Sequence, residues 1–392
     1  MKFKKSVKLI SVGIAMTLTS ACGVKSTSKD DDSATDSAGA GGGGSSGSTV
    51  NKIASVSSIA DLKLAGALAI TLPEAFGGTA GGSALRLLSG KKSQEACMMG
   101  ATIKQSVDSL GEVGGFFCHL EAEKDRIKFG VKYKLLAGGN EFARIFVDNS
   151  QAASGKLVIG FCQADMGQGA HRQLITIDTL TDAGPKGSII SDGSGTYQNI
   201  AMTYARSTAF DMSVADVVNL VAKEKHSQGG ETHNREVTLD LKPTGQSSLK
   251  LANKGSRTVG SSSMEFFDRG VAYLSGDKGS AVFQSKGSDS ANSWDFTRRA
   301  HFSKTGDVLA AADVGADLQP ATSVIPAYLA SDFAPDSPSG WVGSNCADTA
   351  EEVTIDPQSG SHTACDRSHD GGDMDCWDQT KYESSNEQVS VQ

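Results

Sequence analysis

Between residues 127 and about 313 the chain repeats one local pattern: short runs in which every second residue is apolar. Ile127, Phe129, Val131, Tyr133 and Leu135 alternate with Lys128, Lys132 and Lys134, and Val237, Leu239 and Leu241 alternate with Glu236, Thr238, Asp240 and Lys242. A period of two places one set of side chains on each face of a strand, so one face is buried and the other is wet. Further runs fall at 142–147, 157–162, 174–180, 271–274, 281–284 and 294–302, with shorter ones at Ile200, Met202 and Tyr204, at Leu249 and Leu251, and at Met264 and Phe266. Loops rich in Gly, Asn, Asp and Ser separate them at short spacing, Pro243-Thr244-Gly245 among them, as antiparallel hairpins require. So many half-buried strands must curl, pack as two layers or close. The expected class is α+β and mainly antiparallel β: a large curved sheet, sandwich or half-barrel, with a few helices covering one face.

The helices are expected early. Ser93 can cap a helix over 93–111 that stripes Met99, Ile103, Val107 and Leu110, and a second piece over 112–124 carries Val113, Phe116, Phe117 and Leu120. Residues 62–72 alternate and read as a strand ended by Pro73. Val214, Val217, Val218 and Val221 suggest one more helix over 213–225, although valine density also suits a strand. In 314–345, Val324, Ile325, Tyr328, Leu329, Phe333 and Trp341 are candidates to pack back on the domain. The organisation expected is a signal over 1–21, a tether over 22–50, a β-rich domain over 51–345 and an acidic, cysteine-containing tail over 346–392.

The first 22 residues fix the address. Lys2, Lys4, Lys5 and Lys8 precede a short apolar core over 9–18, then Ser20, Ala21 and Cys22. Charge, a short apolar run and a small-residue exit make a secretory signal. The run is about half the ~20 residues that a transmembrane helix needs. The exit Leu18-Thr19-Ser20-Ala21-Cys22 resembles the lipobox of bacterial lipoproteins, with Leu18 one place earlier than in that family. The resemblance covers these 22 residues. It implies a diacylglyceryl group on the Cys22 thiol, cleavage before Cys22 and acylation of the new amino group. Gly23 in place of the family's retention aspartate implies the outer rather than the inner membrane. The shifted Leu18 also leaves ordinary signal cleavage after Ala21 open. Residues 23–50, rich in Ser, Asp and Gly, are a flexible linker with a reach of roughly 30 Å.

Formal charge is −8, and removing residues 1–21 removes four lysines and no acid, which leaves −12. That balance argues against nucleic acid as a partner. Seven cysteines are present; with Cys22 lipidated, the even remainder suits disulfides in an oxidising compartment. The expected pairings are Cys97 with Cys118 and one bridge among Cys346, Cys365 and Cys376. The competing expectation is free buried thiols, Cys162 in its apolar strand above all.

No catalytic constellation stands out. Gly43-Gly44-Ser45-Ser46-Gly47 fits GxSxG but lies in the linker rather than at a strand-to-helix turn. Gly90-Lys91-Lys92-Ser93 lacks the upstream glycine of a phosphate loop. His119, His171, His226, His233, His301, His362 and His369 are scattered. His226 and His233 flank a Gly-Gly loop beside Glu231, a metal clip or, more simply, an exposed loop. Asp366, His369, Asp370, Asp373, Asp375 and Asp378 crowd the tail without EF-hand spacing. Arg298 and Arg299 beside Trp294 and Phe296 suit an anion or a sugar, or a charged sheet face. No cofactor and no metal are expected.

The expected function is that of a membrane-tethered envelope lipoprotein with a non-catalytic binding or structural role, anchored through Cys22 and meeting an unknown protein or apolar ligand. One alternative is a carrier of lipid or another apolar ligand, which resembles the half-barrel envelope carriers only in its coarse plan of strands. The other is an envelope hydrolase with a dispersed site that includes His171 or His301.

Overall fold

The computed structural model describes residues 51–55, 128–137, 140–163, 169–197, 200–215, 217–242, 244–303, 309–338 and 351–354. The fold is one open, mostly antiparallel sheet with very little helix among the described residues. Its strands are β1 (Lys132–Ala137), β2 (Asn140–Asp148), β3 (Leu157–Gln163), β4 (Gly169–Leu180), β5 (Pro185–Tyr197) and β6 (Ile200–Asp211). They continue as β7 (Val218–Gln228), β8 (Glu231–Leu241), β9 (Ser247–Val259), β10 (Ser262–Ser275), β11 (Lys278–Ser288) and β12 (Ser293–Ser303). Each pairs with the next in chain order, and β13 (Glu351–Thr354) adds in parallel to β1. Hairpins this short force antiparallel neighbours, so the meander follows from loop length. From β4 to β12 the strands run 11 to 14 residues, far longer than usual, so the sheet is tall enough for its two ends to differ in chemistry.

The period-two pattern sorts side chains as expected. Tyr133, Ile145, Val147, Leu157 and Ile159 share an inner face with Ile175, Ile177, Leu220, Val237, Leu239 and Leu251, and all are buried in one core cluster. Ile53 joins this core. Asn51 beside it is tied to the end of β4: its side-chain amide donates to the Asp178 carbonyl at 3.1 Å, and its Oδ1 accepts the Leu180 N–H at 3.1 Å.

The outer face has a smaller core at one end. Val271 and Val282 are buried there beneath Ile325, with Tyr273 against them. Residues 309–338 strap this face. Arg299 donates to the Pro320 carbonyl at 2.7 Å and Arg269 to that of Pro326 at 3.2 Å. The Tyr328 ring takes the Arg269 guanidinium at 3.9 Å and the Lys286 ammonium at 4.0 Å. Ile325 and Tyr328 thus pack back on the domain.

Three expectations change. The helix over 213–225 does not form: Val214 and Ala215 lie in a bend and a turn and β7 begins at Val218, because Val218, Leu220 and Ala222 alternate into the core. Residues 351–354, expected in the tail, belong to the sheet as β13. Met264 and Phe266 lie on the same strand as Val271 and Leu274. The expected strand at 62–72 and helices over 93–124 lie outside the described residues. No helix among the described residues is long and apolar enough to cross a membrane.

Candidate functional site

Register carries the inner face from apolar to polar along the strands. The row through Val147, Ile159, Ile175, Ile189, Thr208, Ala222 and Val237 is apolar but for the buried Thr208. One step along each strand on the same face, Phe161 is followed by Gln173, Ser191, Arg206 and Glu224, each opposite the last. The row continues through Arg235, Asn253, Asp268, Ser285 and Phe296. Polar side chains thus stand where alternation demands inward-facing positions, and several of them pair with one another. Glu224 lies 3.6 Å from Arg206 and 3.7 Å from Arg235. Asn253 donates to Asp268 at 3.3 Å. Trp294 Nε1 donates to Ser285 Oγ at 3.0 Å.

Charge and burial set their protonation. Desolvation pushes the Glu224 carboxyl up, but Arg206 and Arg235 outweigh it and hold the pKa below the usual carboxylate value. Asp268 goes the other way: desolvation raises it more than hydrogen bonds from Ser285 and Asn253 lower it.

One further step along the strands lies a row of rings and imidazoles. His171, Gly193, Tyr204, His226, His233, Gly255, Phe266, Gly287 and Trp294 follow one another across β4 to β12. The glycines make space for the rings. A Cβ on Gly255 would coincide with the outer edge of the Phe266 ring, and one on Gly287 with the outer edge of the Trp294 indole. Gly193 separates His171 from Tyr204, and across it His171 Nδ1 and the Tyr204 hydroxyl share a hydrogen bond, with ring centroids 5.8 Å apart. Phe161 meets the His171 ring edge-on at 6.1 Å. His171 keeps a little surface, but its ring lies among packed atoms. Burial first, then Arg206, push its pKa down to about 4.

His226 and His233 face each other directly across the β7–β8 hairpin, whose Gly229-Gly230 turn has φ of 55° and 87°. They are cross-strand neighbours, not residues of an open loop. Burial and then Arg235 lower the pKa of His233; burial also lowers that of His226, against the pull of Glu224. Glu231 lies 3.9 Å from His233 Nε2 and 2.8 Å from Arg257. No three His, Cys, Asp or Glu side chains among the described residues converge as a metal site.

The other candidates separate. Trp294 and Phe296 face inward, whereas Arg299 faces outward beneath the strap, so those three do not form one site. The side chain of Arg298 lies outside the described residues. His301 is on the outer face opposite Ser280. Cys162, buried on the outer side of β3, is disulfide-bonded rather than free. Its partner is a cysteine outside the described residues, where Cys22, Cys97, Cys118, Cys346, Cys365 and Cys376 all lie. His119, His362, His369, Phe116, Phe117 and the tail aspartates also lie outside them. Sequence reasoning missed Arg206, Glu224, Arg235, Asn253 and Asp268. The signal that could have found them is position: each sits at the inward phase of an alternating strand.

No protein-family model, no curated protein and no solved structure matches this chain.

Proposed function

We propose that the protein is a membrane-tethered lipoprotein of the cell envelope with a non-catalytic binding role, and that its ligand site is the polar end of the inner sheet face. One observation carries this reading: the inner face is closed at its apolar end and half-open at its polar, aromatic end. Ile145, Leu157, Ile159, Ile175, Ile177 and Leu220 expose 1 % of their surface or less. Tyr204, His226, His233, Phe266 and Trp294 keep surface. A sealed apolar end favours this reading over a carrier of lipid, which needs apolar surface for the ligand to cover.

The charged groups favour binding over catalysis. Glu224 is held by two arginines, Glu231 by Arg257, and Asp268 by Asn253 and Ser285. Groups tied in this way offer fixed contacts, not a nucleophile poised beside a base. The address follows from the lipobox-like exit at Cys22, with the outer membrane favoured over the inner. The buried cystine at Cys162 supports an oxidising compartment.

Native mass spectrometry of the full exported chain carrying Cys22→Ser tests the binding role. A retained non-covalent adduct that Arg235→Ala removes supports it. A bare chain, with no thermal shift from any member of a metabolite library, rejects it.

A further inference from the structure

We propose that the polar end of the inner face binds a neutral oligosaccharide, lying across β8 to β12 with its sugar rings over Phe266 and Trp294. This rests on the binding reading above and names the ligand class for that site. Three observations converge on it.

The first is the stacking surface. Phe266 and Trp294 are half-buried, on the same register row and two strands apart, about 10 Å at normal strand spacing. Each leans its edge over a cross-strand glycine, Gly255 or Gly287, so the ring lies down along the sheet. Such a ring offers a face to the C–H surface of a sugar. Trp294 is further fixed through its Nε1 to Ser285.

The second is the hydrogen-bonding row beside them. Polyols need donors and acceptors in comparable number. The groups on the neighbouring strands supply both: the guanidinium of Arg235, the carboxylate of Glu231, the imidazole of His233, and Asn253, whose Oδ1 is buried without a partner. An apolar ligand would take water from these groups and leave their remaining hydrogen-bonding capacity unmet, at a cost for each.

The third is charge. Arg206, Arg235 and Arg257 are matched in number by Glu224, Glu231 and Asp268 on the same face, and the ion pairs of the two glutamates with these arginines fall within 4 Å. The histidines are held neutral, with pKa values lowered chiefly by burial. An anion would need a surplus of cations that this face lacks, and a cation would need free carboxylates.

The test uses the full exported chain carrying Cys22→Ser, with chitotetraose, cellotetraose and maltotetraose as probes. Saturation-transfer NMR and tryptophan fluorescence read binding. The expected result is saturable binding of at least one probe at micromolar to millimolar concentration, weakened about tenfold or more by Trp294→Ala and restored by Trp294→Phe, since each stacked ring contributes on that scale. Phe266→Leu and His233→Gln report independently if Trp294→Ala fails to fold. Equal binding by the parent chain, Trp294→Ala and Phe266→Leu overturns the site. No binding of any probe, while native mass spectrometry retains a different adduct, overturns the sugar and leaves the binding role standing. No binding and no adduct removes both.

Discussion

His171 on β4 and Tyr204 on β6 meet across a strand that contributes no side chain at that point, because Gly193 of β5 lies between them. The imidazole is neutral at pH 7 because of where it lies, not because of its hydrogen bond to Tyr204. Burial and Arg206 hold its pKa to about 4, against an ordinary value near 6.5. The sign follows directly. Above about pH 6.5 the imidazole is neutral in both folded and unfolded chains, and the stabilisation is complete. As pH falls toward 4, the unfolded chain takes up a proton that the folded one refuses, and up to about 3 kcal/mol is lost. Urea denaturation between pH 7.5 and 5 should therefore show falling stability. His171→Gln should flatten that slope, and the slopes left by His226 and His233, whose pKa values are also lowered, should remain. An unchanged slope in His171→Gln would place the titrating group elsewhere.

Gly255 and Gly287 support the two rings of the proposed site, and their substitution should have unequal effects. In Gly255→Ala the new methyl meets only the outer edge of the Phe266 side chain, which can swing away. In Gly287→Ala it meets the indole and also the Glu265 carbonyl at 2.6 Å, a backbone atom that cannot. Overpacking of this kind costs about 1–3 kcal/mol. Gly255→Ala belongs at the low end and Gly287→Ala at the high end, measured by chemical denaturation. Pairing Gly255→Ala with Phe266→Ala should recover most of its loss, because the clash is removed. An additive pair would mean that the ring does not occupy the space over Gly255.

The meander itself was legible because Val237, Leu239 and Leu241, or Leu157 and Ile159, repeat at the strand period with little else competing. β5 was not, since Ile189 and Ile190 are adjacent, point to opposite faces and are followed by Ser, Asp and Gly that read as a loop. The helix expected at 213–225 failed for a related reason. Four valines spaced by three and four residues fit a helical stripe, yet Val218 with Leu220 and Ala222 fits a strand equally well, and pairing to β6 and β8 decided it. The polar row was hidden because Arg206, Glu224 and Arg235 are of the types expected on a wet face. Their phase relative to Phe210, Leu220 and Leu239 places them inside, and only the register between strands shows that they line up.

That register makes Glu224 the key carboxylate of the row. It is the shared partner of Arg206 and Arg235, and its side chain is only 19 % exposed. Glu224→Gln should remove the negative charge that two guanidiniums share in a poorly solvated place, at a cost of about 3 kcal/mol. The Lys186–Asp211 pair, at 2.8 Å the shorter contact, sits with Lys186 half exposed, so Lys186→Met should cost about 1 kcal/mol or less. Denaturation of the two variants at pH 7 compares them. If Glu224→Gln proves as mild as Lys186→Met, the row is solvated and its part in organising the inner face is lost.

Cys162 makes the last prediction, on the opposite face. Its neighbours in register are Arg144 and Arg172, and Arg172 is itself bound to Asp192 at 2.7 and 2.5 Å, yet Cys162 is only 2 % exposed. The disulfide ties β3 at this point to a second cysteine. Cys162→Ser removes that cross-link, worth about 2–4 kcal/mol. Made in the Cys22→Ser background, the variant should gain one titratable thiol over its parent under denaturing, non-reducing conditions. Limited proteolysis should cut it faster than the parent in a region outside β1 to β12, and dithiothreitol should bring the parent to the same cleavage pattern. A parent chain that already shows the extra thiol would mean that Cys162 is unpaired as the protein is made.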